Sequence, residues 1–406
     1  MPVNLSAPDR LLPVRGFLLG TAAAGIKHEK RDDIAVLVAS EGTQASGVFT
    51  QSSFKAAPVQ VAQSHLRLDS ARALVINSGN ANAATGGVGH EDAVDCCRWV
   101  AQAMGFKASQ VLPFSTGVIG ERLPMDRMKA GILDACGALN ADAWQQAASA
   151  ILTTDTLPKG ISRRFHIGDS AVTITGIAKG SGMIRPNMAT MLAFIGTDAS
   201  ISKACLDELL HTAVEASFNR ITVDGDTSTN DSLMLLSSGQ AANDHIERDS
   251  SEAYTVFQRE LVALCEELAQ GLIRDAEGAT RFVTINVTGG RDRSECLKVA
   301  YTIAESPLVK TALFAGDPNW GRFCMAIGRS GITDLDVNGV SLFIGDVCVA
   351  RNGMLDAGYT ESEAARIMRD QEYCVRVELG RGQACETVWT SDLSYDYVKI
   401  NAEYRT

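Results

Sequence analysis

Histidine is scarce in this chain. Six residues among 406 form no motif, and none stands at ligand spacing from a cysteine, so neither a zinc site nor a histidine-based triad is indicated. The ten cysteines, at 96, 97, 136, 205, 265, 296, 324, 348, 374 and 385, include no Cys-x-x-Cys pair. Scattered thiols of this kind fit a reducing compartment and give a cysteine nucleophile no supporting pattern. Lysine and arginine are nowhere clustered into a long run, and the net charge is -11 with a pI near 5.1. Nucleic acids and anionic membranes are therefore not the expected partners; small solutes are. No stretch is apolar for long enough to span a bilayer. Residues 1 to 15 hold charges and three prolines without a continuous apolar core, so no secretory leader is expected and the cytoplasm is the expected location. Internal repeats, low-complexity tracts and an obvious linker are also missing.

What is present is the making of a large soluble core. Hydrophobic content of 46% and charged content of 21% are ordinary for a globular protein, and the length would accommodate roughly two or three domains. Strand-like and helix-like patterns alternate through both halves, predicting one interlocked α/β body. Short β-rich pieces from Asp33 to Val61 predict an opening sheet, and Leu74-Val75-Ile76 a buried strand. Helices are predicted from Asp92 to Met104, Ala141 to Leu152, Ser202 to Phe218 with Ser202 as N-cap, and Ser251 to Leu272. Ser306-Pro307 through Gly316 has the cap, proline and glycine of a short helix. Val337-Asn338-Gly339-Val340 carries a hairpin signal, Thr360-x-x-Glu363 a capping box, and Tyr397 to Ile400 reads as a last strand.

Two look-alike motifs fail on inspection. Gly20 to Lys27 imitates a phosphate loop, but Ile26 separates Gly25 from Lys27. The acidic loop Asp224 to Asp231 imitates a calcium loop, but Thr229 stands where its glycine belongs and Leu235 where its closing glutamate belongs. No metal ligands are assigned. Two other stretches could carry chemistry. Asn77-Ser78-Gly79-Asn80-Ala81-Asn82 suits a tight turn rich in donors. In Ser115-Thr116-Gly117-Val118-Ile119-Gly120, a hydroxyl beside a glycine lets an O–H and a backbone N–H point at one spot, as an oxyanion site requires; a plain strand-end turn would have the same composition.

From Lys179 to Ala199 a glycine-containing lead passes through Pro186 to Ala189-Thr190-Met191-Leu192 and an apolar run of strand length. A threonine hydroxyl where a loop meets a strand can attack the carbonyl just before it. A cut there makes Thr190 an N-terminal residue, nucleophile and base in one, because its own α-amine can take the hydroxyl proton. Threonine is also a strand-favouring residue, and structural use alone would explain it.

This stretch resembles the autoprocessing site of the ornithine acetyltransferase family, glutamate N-acetyltransferases of arginine biosynthesis. The resemblance extends, in family order, through Gly25-Ile26-Lys27, Gly47 to Thr50, Asn77 to Ala83, Ser115 to Gly120, Thr153 to Thr156, Asp224 to Asp231, Glu277 to Thr280, Gly316 to Arg322 and Tyr397 to Thr406. It implies a fold similar to that of the self-processing aminopeptidases and ornithine acetyltransferases, and self-cleavage between Ala189 and Thr190. The products would be an α chain of residues 1 to 189 and a β chain of residues 190 to 406, held as an α2β2 heterotetramer. It implies acetyl transfer from N-acetylornithine to Thr190, release of ornithine, and passage of the acetyl group to glutamate to give N-acetylglutamate. Thr116 and Gly117 match the family's oxyanion donors. Thr153, Lys179, Thr190, Glu277, Asn401 and Thr406 match its substrate-binding positions, with Thr154 and Thr156 close enough to Thr153 to confuse the register. No bound cofactor is implied; acetyl-CoA is a second acetyl donor in some members, and no residue here separates the two kinds. On charge, Lys179 is expected to face a substrate carboxylate and Glu277 an ammonium. Two other readings stay open: a self-processed amidohydrolase or aminopeptidase, whose new N-terminus is typically serine, and an unprocessed amino-acid-binding protein.

Overall fold

The computed structural model describes residues 2–27, 29–185, 191–249 and 251–403. Ala189, Thr190 and Thr406 lie outside the described residues.

Three sheets organise the described residues. The first has strands Phe17–Ala22, Ile34–Ala39, Ala73–Asn80 and Val111–Val118 in that order; the second has Gln44–Phe49, Ser232–Ser237, Leu192–Thr197, Ser170–Lys179 and Lys159–Ile167. Alternation along the strands decides how they stack. Leu37, Leu74, Ile76 and Phe114 from the first sheet share a buried core with Ile177, Leu192, Phe194 and Met234 from the second. Phe114 and Phe194 meet edge to face there, with ring centroids 5.0 Å apart. The opposite face of the first sheet, Val36 and Val75 among others, is covered by helices Gly86–Met104 and Met125–Gly137. The outer face of the second, including Ile195 and Leu235, is covered by Lys203–Ala216 and Glu252–Arg274. The result is helix, sheet, sheet, helix in four layers.

A third, seven-stranded sheet packs a separate core against the helices Arg293–Ala304, Pro307–Ala315, Trp320–Gly328 and Glu361–Met368. Among the described residues no helix is long and apolar enough to cross a membrane.

The second sheet carries a consequence for chemistry. Three of its strands precede position 190 and two follow it, and Lys179 pairs with Leu192 across the antiparallel strands that flank the segment 180–191. Leu192–Thr197 is then ladder-bonded on both sides. Backbone hydrogen bonds therefore tie the two parts of the chain into one sheet.

Several sequence expectations hold. Ser202 and Ser306 each cap their helix through Oγ, and Gly316 ends its helix at φ +65°; the structure adds a cap at Ser251. Others change. The opening β-rich stretch divides, because Ile34–Ala39 enters the first sheet and Gln44–Phe49 the second, while Ala57–Leu68 is a helix begun by Pro58. Val337–Gly339 is a short 3-10 turn, since the Asp336 carboxylate accepts the Asn338 N–H; the hairpin turns instead between Ile344 and Val347, at Gly345 with φ +53°. At the helix Glu361–Met368 the Thr360 hydroxyl bonds Glu363 Oε2 and not the backbone. The expected last strand is a helix, Tyr395–Ala402, because Ser394 accepts the Tyr397 N–H and starts helical winding.

Candidate active site

A cavity of about 270 Å³ opens where the first two sheets meet the C-terminal helix. Thr116, Gly117, Thr153, Lys179, Glu277 and Asn401 line it, from five separate parts of the chain. A larger groove of about 850 Å³ lies elsewhere, between Arg15, Arg72 and apolar neighbours; none of Thr116, Gly117, Thr153, Lys179, Glu277 and Asn401 lines it, so the smaller cavity is the candidate site.

The Thr116-Gly117 wall is fixed by the amide-rich turn beside it. Strand Val111–Val118 runs parallel to Ala73–Asn80, placing Gly117 against Gly79 where the ladder becomes irregular. Asn77 Nδ2 donates to Asn80 O at 2.8 Å and Ser115 Oγ donates to Asn77 Oδ1 at 2.6 Å. Asn230, from the acidic loop, donates to Ala81 O at 2.6 Å and Ser115 O at 2.9 Å, holding both strand ends. Gly117 has φ +136°, and an added Cβ would sit 2.2 Å from Gly79 C and 2.4 Å from Asn80 N. Only glycine fits that position.

Lys179 ends the strand Ser170–Lys179 with its ammonium buried. Nζ donates to Thr153 Oγ1 at 2.7 Å and Thr116 Oγ1 at 3.2 Å, and lies 3.8 Å from Asp155 Oδ2. Burial pulls its pKa below the usual lysine value, against the pull of Asp155. The carboxylate nearest this lysine is thus one of the protein's own. Asp155 is itself fully buried, but the ammoniums of Lys159 and Lys179 overcome desolvation and hold its carboxyl well below the usual range. Lys159 binds Asp155 Oδ1 at 2.6 Å and Asp275 Oδ2 at 2.5 Å.

The neighbouring threonines have different partners, and Thr153 and Thr154 both line the cavity. Thr153 reaches Lys179, Thr154 pairs with Ser181 Oγ at 2.7 Å, and Thr156 turns away to Asp275. On the far wall Glu277 Oε2 accepts from Asn401 Nδ2 at 2.8 Å. Gly278, at φ +68°, makes that contact practicable: an added Cβ would lie 2.5 Å from Tyr397 N and push the C-terminal helix off its seat. Ser394 Oγ anchors the same helix by donating to Gly278 O at 2.6 Å.

Sequence reasoning assigned no role to Asp155, Asp224, Asn230 or Asp231. Asp224 accepts the N–H groups of Met183 at 2.7 Å and Ile184 at 3.0 Å, and Asp231 accepts that of Met191 at 3.0 Å. The loop grips the chain on both sides of residues 186–190. The usable signal was a cluster of side-chain acceptors that no metal motif claimed. Among the described residues no group of three or more His, Cys, Asp or Glu side chains is arranged to hold a metal ion.

Comparison with known proteins decides the family. The ArgJ family model matches residues 18–406. The arginine biosynthesis bifunctional protein ArgJ of Pseudomonas fluorescens (strain Pf0-1) is 50% identical over 406 residues, all of both chains. The chain belongs to the ArgJ family. Among solved structures similar to this ArgJ-family chain, the arginine biosynthesis bifunctional protein argJ of Bacillus halodurans is 38% identical. That likeness covers 52% of this chain and 97% of the other, with a TM-score of 0.49. An ornithine acetyltransferase of Mycobacterium tuberculosis, complexed with ornithine, is 36% identical over 44% of this chain and 95% of the other, with a TM-score of 0.41.

Proposed function

We propose that this ArgJ-family protein is a glutamate N-acetyltransferase of arginine biosynthesis that works through an acetyl ester on Thr190. The observation that carries the reading is one cavity holding a hydroxyl beside a glycine N–H, a buried ammonium and a buried carboxylate. Its full-length relative is named bifunctional, which fits two acetyl donors, N-acetylornithine and acetyl-CoA.

In this reading the chain first cuts itself between Ala189 and Thr190, into residues 1–189 and 190–406. The strands shared within the second sheet keep the two pieces together, and pairs of them assemble as α2β2. The freed α-amine, with an ordinary pKa of about 7.7 to 8.0, is partly uncharged near neutrality and takes the Thr190 proton. The hydroxyl oxygen then bonds the acetyl carbon of N-acetylornithine, and the oxyanion formed there sits toward Thr116 Oγ1 and the Gly117 N–H. Collapse expels ornithine, which leaves with the proton. Glutamate enters, its amine attacks the ester, and N-acetylglutamate departs with the hydroxyl restored.

Lys179 and Thr153 form the end of the cavity suited to a substrate carboxylate, and Glu277 with Asn401 the end suited to an ammonium. Asn401 lies in the last described helix, so Thr406, five residues on, belongs to the same site in this reading. Purified protein on a denaturing gel should give two bands divided at residue 189, and T190A a single band. Acetyl transfer to glutamate should be detected with acetylornithine, and with acetyl-CoA if both donors serve. A continuous, fully active polypeptide would refute the mechanism; release of free acetate without glutamate would favour the amidohydrolase reading.

A further inference from the structure

The larger groove, of about 850 Å³, lies at the far end of the two facing sheets from the candidate site. Two strands measure the separation. Ser170–Lys179 brings Ala171 and Thr173 to the groove and Lys179 to the cavity, and Ala73–Asn80 leads from Arg72 at the groove to Gly79 beside Gly117. At about 3.3 Å per residue the two sites stand roughly 20 Å apart. A small molecule in the groove therefore meets none of the groups assigned to acetyl transfer.

Three arginines line this groove, and one acid answers them. Arg15 Nε donates to Asp198 Oδ2 at 2.8 Å, while the other oxygen of that buried carboxylate accepts the Thr173 N–H at 2.7 Å. Arg72 lies with its guanidinium carbon 4.5 Å from the centre of the Phe106 ring and donates from Nε to Ala39 O at 3.1 Å. Its terminal nitrogens have no hydrogen-bond partner among the described residues. Arg164 is exposed on the edge strand Lys159–Ile167, across the ladder from Thr173, and its side chain makes no ion pair or hydrogen bond among the described residues. Two positive charges thus stand uncompensated here, on a chain whose net charge is -11. Most of the remaining lining is apolar, including Val14, Phe17, Val38, Met104 and Phe106, and Leu18 is 42% exposed there. The concavity has the volume of a small-molecule site, and planar guanidiniums beside apolar side chains suit a ligand with an anionic head and an apolar body. We infer that the groove binds a small anion with a flat apolar body, an aromatic phosphate, carboxylate or sulfonate, whose charge is met by Arg72 and Arg164. A net cation such as ornithine is repelled by the same two groups.

The probe is anilinonaphthalene sulfonate, a flat apolar body with one negative charge, titrated by fluorescence into the full-length protein as purified. Wild type should bind one molecule per chain saturably, and more weakly as salt is raised. R72Q should weaken binding about tenfold, the loss expected for a hydrogen-bonded charge contact, and R164Q about threefold, because its exposed guanidinium is better solvated. Cooperative thermal unfolding checks that each variant is folded. If R72Q is not, R164Q decides, since an exposed arginine without a partner can be replaced without disturbing the core. Inorganic phosphate at the same concentration should displace the probe poorly, because it lacks the apolar body, and ornithine should not displace it at all. Failure of wild type to bind the probe, binding unchanged in both variants, or ready displacement by phosphate alone or by ornithine would each overturn the inference. The measurement involves neither cleavage nor turnover, so its result is independent of the acetyl-transfer reading.

Discussion

Replacing Gly117 by alanine tests whether backbone geometry at the strand end is what the chemistry uses. At φ +136° an alanine is strained, and its Cβ would lie 2.2 Å and 2.4 Å from main-chain atoms of Gly79 and Asn80, which no side-chain rotation can relieve. The strain and the overpacking each cost roughly 1 to 3 kcal/mol, so G117A should lose about 2 to 6 kcal/mol of stability in urea denaturation. Relief requires the two parallel strands to separate, carrying the residue 117 N–H away from its aim. Losing one oxyanion donor costs about 2.7 to 4 kcal/mol in the barrier, a fall of roughly 100 to 1000-fold in kcat for acetyl transfer, normalised to folded, cleaved protein. T116V is the companion variant. It removes the hydroxyl at nearly constant volume and should lose a similar factor in kcat with a much smaller loss of stability. A G117A protein within about threefold of wild-type kcat would refute the oxyanion assignment, because the predicted displacement would then be chemically silent.

Other outcomes follow from the same geometry. Lys159→Met leaves Asp155 and Asp275 buried without their shared cation and should cost about 3 to 5 kcal/mol by urea denaturation; a loss under about 1 kcal/mol would mean the network relaxes freely. Asn401→Ala removes the donor that holds Glu277 Oε2 in place and should raise KM, measured for acetylornithine and glutamate separately; unchanged constants for both would remove Asn401 from the site. Lys310, fully buried against Thr390 and the Ser391 carbonyl, has its pKa pushed down to about 8. The unfolded chain therefore holds this proton up to about pH 10.4 while the folded chain releases it, so the lysine's contribution to stability rises with pH across that window. K310M should flatten the rise in pH-dependent unfolding, and a slope unchanged by the mutation would contradict the placement. A tag fused after Thr406 should lower turnover without lowering the unfolding temperature; full activity in such a fusion would remove the C-terminus from the site.

The candidate site is partly legible in the sequence. Thr116 and Gly117 carry a local signature, a hydroxyl next to a residue free to adopt positive φ, whereas Lys179 is marked only by the family resemblance, and the strand it ends is seen in the structure alone. Asp231 and Asn230 are not legible there. Their work is to accept or donate across 40 to 149 residues of chain, to Met191, Ala81 and Ser115, and no periodicity or spacing encodes a partner that distant. The C-terminal helix defeats sequence reasoning for a related reason. Tyr397 to Ile400 favours a strand by composition, but Ser394 caps the turn before it and Gly278 provides the seat. A cap is local, and a seat is tertiary.

By itself, the amino-acid order determines the local elements and the family: capped helices, buried strands and blocks of motif in the right succession. Those depend on interactions within a few residues or on ancestry, both written along the chain. Only the tertiary structure decides that strands from both sides of position 190 share one sheet, and that Lys179 spends part of its charge on Asp155. It also decides that a buried aspartate, Asp231, accepts the Met191 N–H. Burial and long-range pairing set those outcomes, because the free energy of a charge depends on what surrounds it in space.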